Sequence, residues 1–226
     1  MRVSRLKRES LRDAVIRAIE DALLAGELQP GDRLVEATLA AQAGISRGPV
    51  REAVRQLVGE GVLVSYPSRG TFVTCWTPQT VEEAYTLRAV LERLAIERVA
   101  ARATEADLAQ LQATVDAMAE NGARGDSRAL VWLDVRFHEQ LYMLSQHALL
   151  QRTLSQLRRQ MYSLMGMDQG FAVHCHEIAA DHAEIVRLLR ARDGVAAGEA
   201  AARHILAAGR EVVEQVRSLG DGRNAP

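Results

Sequence analysis

The chain has 226 residues, 48% of them hydrophobic and 25% charged, with a formal net charge of −1. That composition supplies a packed core and excludes a polycation that holds nucleic acid by bulk charge. Two cysteines, Cys75 and Cys175, far apart and without partner motifs, argue against a disulfide framework and for free thiols in a reducing cytosol. The first residues lack the apolar core of a signal peptide, and no apolar run is long enough to span a bilayer, so a cytoplasmic location is expected.

Aromatic residues are only 4%, and Ala, Leu, Val and Arg dominate, which favours helix. From Ser10, the residues Leu11, Val15, Ile16, Ile19, Leu23 and Leu24 follow a helical period that stops near Gly26. Gln29-Pro30-Gly31-Asp32 reads as a turn. A short helix from about Glu36 carries Leu39 and Ala40 inward and ends at Gly44, and Ala43-Gly44-Ile45 joins it to a further helix. Two helices joined by a tight glycine-containing turn make a helix-turn-helix.

The second of these helices separates two kinds of residue. Val50, Ala53, Val54 and Leu57 form an apolar stripe, while Arg47, Arg51 and Arg55 recur every four residues on another face. Ser46 is placed to cap the first turn, and Pro49 lies where its missing N–H costs little. Such a helix docks on a core and offers guanidinium groups to an anion, with nucleic acid the first candidate. A solvated face paired with Glu36, Glu52 or Glu60 is the alternative. Through Cys75 there are eleven Lys/Arg against nine Asp/Glu, so the basic surplus lies at this end.

Val62-Leu63-Val64 and Thr71-Phe72-Val73 are β-prone runs flanking Pro67-Ser68-Arg69-Gly70, a hairpin tip. A hairpin after a helix-turn-helix is a wing, and Arg69 at its tip reaches a phosphate or the minor groove. Residues 76–79 are a short polar connector and the expected boundary between units 1–75 and 80–220. Helices are predicted over about 80–102, 104–121, 125–146, 148–166, 174–192 and 195–218, with a break at Gly166 to Gly170. In the first of them Tyr85, Leu87, Val90, Leu91, Leu94 and Ala95 share one broad apolar arc. The fold class is therefore mainly α: an N-terminal winged helix-turn-helix followed by an all-α bundle.

Four possible metal ligands stand out in the helical half. Asp134 and His138, at i and i+4, project from one helix face, and His182 and His204 lie on the last two helices among apolar neighbours. Three imidazoles and a carboxylate suit a divalent ion such as Zn²⁺, Ni²⁺ or Mn²⁺. Taken singly, each histidine also reads as a satisfied or exposed polar side chain. His147, His174 and His176 do not fit the same pattern, and Trp132, Tyr142 and Tyr162 read as core.

Gly31-Asp32-Arg33-Leu34, Leu39-Ala40, Gly44-Ile45-Ser46-Arg47, Pro49 to Ala53, Leu57, Glu60-Gly61 and Arg69-Gly70 together resemble the winged helix of GntR-superfamily regulators. The Asp134–His138 pair, His182 and His204 are similar in order and spacing to the FCD effector domain of the FadR-type subfamily. The resemblance implies a ligand-responsive transcriptional regulator, most often a repressor. It would bind a short palindrome in double-stranded DNA as a homodimer, with a divalent metal and a small organic acid in the helical domain. Arg47 and Arg51 resemble base and phosphate readers. Ser46, Gly48 and Pro49 lie where the helix meets the DNA backbone, and Gly70 permits close approach at the wing. With Arg33, Arg55 and Arg69 these form the expected DNA-binding set. Gly48 departs from the usual Thr or Ser, which removes a hydroxyl contact, and Ala37 is short where some members carry a basic residue. Arg88 matches an arginine facing the ligand cavity, a clamp for a carboxylate whose alternative is an ion pair with Glu92.

Two other functions share these residues. A DNA-binding protein with a purely structural metal needs the same ligands but no acid. A metal-dependent hydrolase or lyase could use them to activate water, but the chain offers no general base or nucleophile motif such as His-Glu-x-x-His.

Overall fold

In the computed structural model, which describes residues 10–167 and 175–220, the first element is α1 (Leu11–Leu24). Ser10 caps it, its hydroxyl accepting the Asp13 N–H at 3.1 Å. Helices α2 (Glu36–Ala43) and α3 (Arg47–Gly59) follow, joined through Gly44 in the left-handed conformation. The α3 stripe of Val50, Ala53, Val54 and Leu57 is buried, and α3 packs against both α1 and α2. Burying Val50, Val54 and Leu57 contributes roughly 1.5–3 kcal/mol each. The opposite face, with its arginines, stays exposed.

The wing has one more strand than the sequence pattern predicts. Strands β2 (Leu63–Tyr66) and β3 (Gly70–Val73) form the expected hairpin, and β1 (Arg33–Leu34) pairs antiparallel with β3 on its other side. Two residues are too short to show an alternation, so β1 left no periodic signal. Its register sets Arg33 opposite Phe72 and Leu34 opposite Thr71. Gly70 has φ +114°, and a Cβ there would lie 3.0 Å from Nε of Arg33. The glycine is therefore required by the wing's own backbone and by Arg33.

The remaining helices are α4 (Pro78–Arg102), α5 (Glu105–Ala123), α6 (Ser127–Leu144), α7 (Ala148–Met167), α8 (Cys175–Arg190) and α9 (Gly194–Gly220). Helix α4 starts at Pro78, inside the connector expected over 76–79. Thr77 and Thr80 form a capping box there, and Pro78 stands where a proline pre-sets the first turn. Helix α4 packs most extensively on α9, α5 on α6 and α8, and α6 on α4 and α7. The apolar arc of α4 divides. Tyr85 and Ala95 are buried, whereas Leu87, Val90 and Leu94 remain 50%, 68% and 43% exposed.

One core cluster runs from Val15 and Leu57 in the winged helix to Phe137 and Ile185 in the bundle. Helix α7 forms much of the seam. Gln160 Nε2 donates to the Glu60 carbonyl at 2.5 Å, Arg159 lies 3.1 Å from a Glu60 carboxylate oxygen and 3.7 Å from Glu20, and Trp76 Nε1 donates to Ser163 Oγ at 3.3 Å. Gly166 is part of α7, not a break. A Cβ on it would fall 1.9 Å from the Leu23 carbonyl oxygen, so α1 and α7 touch there backbone to backbone. Gly170, His174 and the side chains of Cys175 and His176 lie outside the described residues.

Candidate DNA-binding surface and metal centre

The expected DNA-binding residues lie on α3 and its N-cap and in the three-stranded wing. Ser46, Arg47 and Gly48 are exposed at the start of α3, with Pro49 half-buried beside them. Ser46 occupies the N-cap position with extended backbone, but its hydroxyl makes no capping hydrogen bond, contrary to the sequence reading. Arg47 and Arg55 are exposed, while Arg51 lies 3.6 Å from Glu36 and is still half-exposed. Arg69 sits at the wing tip with its guanidinium 5.8 Å from the Tyr66 ring centre. Arg33 lies against Gly70 at the base of the tip, so its position follows from the third strand. At Gly48 an added Cβ would meet nothing closer than Ser46 Oγ at 3.9 Å, so the missing hydroxyl is not enforced by space.

Five helices converge on the second site. Helix α6 contributes Asp134, His138 and Tyr142, α4 contributes Arg88 and Glu92, α7 contributes Arg158, α8 contributes Asp181 and His182, and α9 contributes His204. Nε2 of His138, His182 and His204 lies 3.5, 3.2 and 3.9 Å from Oδ1 of Asp134, and the four ligand atoms all fall within 4.8 Å of one another. The outer nitrogen of each ring is already engaged. His138 Nδ1 meets Glu92 Oε2 at 2.5 Å, His182 Nδ1 meets the Ile178 carbonyl at 2.6 Å, and His204 Nδ1 meets Asp181 Oδ2 at 3.0 Å. Those acceptors fix a proton on each Nδ1 and turn each Nε2 inward. Nε2 of His138 and of His182 is buried without a hydrogen-bond partner. Buried polar atoms are ordinarily satisfied, so these two orphans fit a metal ligand set.

Electrostatics divides the cluster. Burial alone would raise the Asp134 carboxyl, but the facing imidazoles of His138, His182 and His204 outweigh it and hold it well below the carboxylate range. Burial and the neighbouring His204 lower His182 to about 4. His204 is also desolvated, yet its contacts with Asp134 and Asp181 raise it to about 9. Glu92 is kept ionised against its burial by Arg88 and His138.

Arg88 lies beside this cluster and donates Nε to Glu92 Oε1 at 2.5 Å, the ion pair that the spacing alone also allowed. Glu92 is the main residue the sequence reading missed. It accepts from Arg88 and from the Tyr142 hydroxyl at 2.5 Å and orients His138. Its only sequence signal was the i, i+4 spacing to Arg88, which usually marks a surface pair. Tyr142 is core, as expected, and also a member of this network. Arg158 and Asp181 were likewise missed. His147 stands apart as the cap of α7, its Nδ1 accepting the Leu150 N–H at 3.3 Å.

A winged helix-turn-helix with exposed arginines, joined to a helical domain with a buried carboxylate–imidazole cluster, defines a DNA-binding regulator with an attached all-helical domain. Comparison with protein families agrees: residues 11–73 match "Bacterial regulatory proteins, gntR family" and residues 83–207 match "FCD domain". The chain belongs to the GntR family of bacterial transcriptional regulators and carries an FCD domain as its C-terminal part. It is 33% identical to the Nta operon transcriptional regulator of Aminobacter aminovorans over 73% of this chain and 76% of that protein. It is 30% identical to the probable D-xylose utilization operon transcriptional repressor of Paenarthrobacter nicotinovorans, over 90% and 89% of the two chains. The structure of E. coli McbR/YncC superposes with a TM-score of 0.77 at 26% identity, covering 95% of this chain and 99% of that one. These families and relatives are regulators of transcription, not enzymes, which removes the hydrolase or lyase reading. Among the described residues no helix is long and apolar enough to cross a membrane.

Proposed function

We propose that this regulator acts in the cytoplasm as a homodimeric repressor whose hold on a short palindromic operator is set by a small organic acid bound beside a divalent metal. The unit 1–75 reads DNA. Arg47 and Arg51 enter the major groove, Ser46, Gly48 and Pro49 meet the phosphate backbone, Arg33 and Arg55 flank it, and Arg69 with Gly70 follows the wing to the neighbouring groove. The unit 80–220 holds the metal on Asp134, His138, His182 and His204 and dimerises through the exposed Leu87, Val90 and Leu94 of α4.

The observation that carries this reading is the set of inward Nε2 atoms, two of them orphaned, each with its Nδ1 already satisfied. Zn²⁺, Ni²⁺ and Mn²⁺ all suit three nitrogens and one oxygen. Such an ion, when bound, supplies a Lewis-acidic anchor for a carboxylate. Glu92, Ile178 and Asp181 orient the three rings, and Arg88 offers its outer nitrogens to the acid while Glu92 holds its Nε. The acid shifts DNA binding only by its differential affinity for the two dimer arrangements, and roughly 1–3 kcal/mol of coupling makes a useful switch.

The test combines metal analysis of the purified full chain with binding to DNA selected from a random pool, in the presence of mono- and dicarboxylates. A bound divalent ion and at least one acid that changes DNA affinity are expected. The full burial of His138 and His182 also favours a purely structural metal. In that case a chelator lowers the melting temperature and no acid changes either stability or DNA binding.

A further inference from the structure

We infer that Arg158 receives a second carboxylate in the C-terminal site, beyond the one Arg88 meets, and that the ligand is therefore a dianion, such as a dicarboxylate. The inference rests on the reading above that Asp134 and the three histidines hold a divalent ion. Arg158 projects from α7 with 1% exposure, and Nε, Nη1 and Nη2 all lack a hydrogen-bond partner. Among the described residues the carboxylate within ion-pair distance is Asp134, whose Oδ2 lies 3.5 Å from Nη2, outside hydrogen-bonding geometry. The guanidinium carbon lies 5.7 Å from the Tyr142 ring centre, which holds the side chain in place without satisfying its donors. Arg88 differs, since Glu92 accepts its Nε at 2.5 Å. Of the two buried guanidiniums among the described residues, Arg158 is the one without a carboxylate accepting from it.

Charge balance points the same way. Arg88 and Arg158 offset Glu92 and Asp134, all four buried, whereas Asp181 is 55% exposed and solvated. A divalent ion on Asp134 Oδ1 would leave two positive charges in the site and draw that carboxylate away from Arg158. A buried, unmatched charge is expensive, so the ligand completes the site by carrying two negative charges. One carboxylate lies at the ion, and the other takes the planar fork of Arg158 in paired hydrogen bonds. A monoanion would leave either the ion or the guanidinium unmatched.

The test uses the full-length protein loaded with Zn²⁺, titrated calorimetrically with malonate, succinate and acetate, alongside R158M and R158K. Metal content is measured on every sample. Wild type is expected to bind one of the two dianions at least about tenfold tighter than acetate, the worth of one charged hydrogen bond. R158M should keep its metal and lose that preference, and R158K, which keeps the charge without the fork, should retain only part of it. Equal affinity for acetate and both dianions in metal-loaded wild type, binding of none of them, or a preference surviving in R158M overturns the inference while leaving the metal site intact. Wild type that takes up no metal overturns the reading beneath it.

Discussion

At the scale of single residues, the two sites differ in how far they could be read from the chain. Arg47 and Arg51 are set by helical spacing against a buried stripe, so their exposure follows from periodicity. Replacing either by Ala should cost roughly 1–3 kcal/mol at the operator if it reads a base, and equally on all sequences if it holds a phosphate. Competition binding with operator and unrelated DNA separates the two. Gly48→Ser has room for its Cβ and supplies a hydroxyl at the helix start, so it should tighten DNA binding without changing the fold. Glu92 shows the opposite case. Its burial depends on which side of α4 faces the bundle, and α4 carries apolar residues on both sides. No count of spacings could show that a glutamate one turn from Arg88 orients a histidine 46 positions away. Glu92→Gln should weaken metal binding about 10–100-fold, the usual effect of losing an outer partner. Unchanged metal affinity would remove Glu92 from that role.

At the scale of elements, α1, α2, α3, the hairpin and all six later helices were legible, because each has a full period of apolar residues and a recognisable cap or turn. Strand β1 was not, since two residues carry no period, and the part of Gly166 was hidden because a glycine near a helix end ordinarily signals termination. Its true constraint is a tertiary contact with α1. Gly166→Ala should therefore destabilise the chain by about 1–3 kcal/mol through forced separation of the two helices, measurable as a lower melting temperature with unchanged metal content. The same seam contains Glu20, whose carboxyl burial raises from 4.5 to about 7 against the pull of Arg159. Folding then favours the protonated form. Below pH 4.5 the group is neutral in both states and costs nothing. Between 4.5 and 7 the unfolded chain ionises first, so stability falls, and above 7 the penalty is constant. Glu20→Gln should match wild type at pH 4 and exceed it by up to about 3 kcal/mol at pH 8, as read from denaturant unfolding at the two pH values.

At the scale of the whole molecule, the exposed apolar row of α4 and the palindromic operator proposed above belong to one argument. A symmetric dimer buries the same surface on both copies and presents two recognition helices to two half-sites. Val90→Glu should give a monomer by sedimentation that keeps its helical content and metal but loses most affinity for the full palindrome. A dimer that persists would place the interface elsewhere.

Helix α7 has consecutive residues with different partners: Arg158 points to the carboxylate cluster, while Arg159 and Gln160 engage Glu60 of the winged helix. This limits how the protein can be recombined. A chimaera that exchanges only the first 75 residues with a relative would set a foreign reading head on an unmatched bearing surface at positions 159, 160 and 166. Grafts that carry those three positions along with the head should keep the proposed effector response. Grafts that omit them should yield proteins that bind DNA and bind acid, with neither event informing the other.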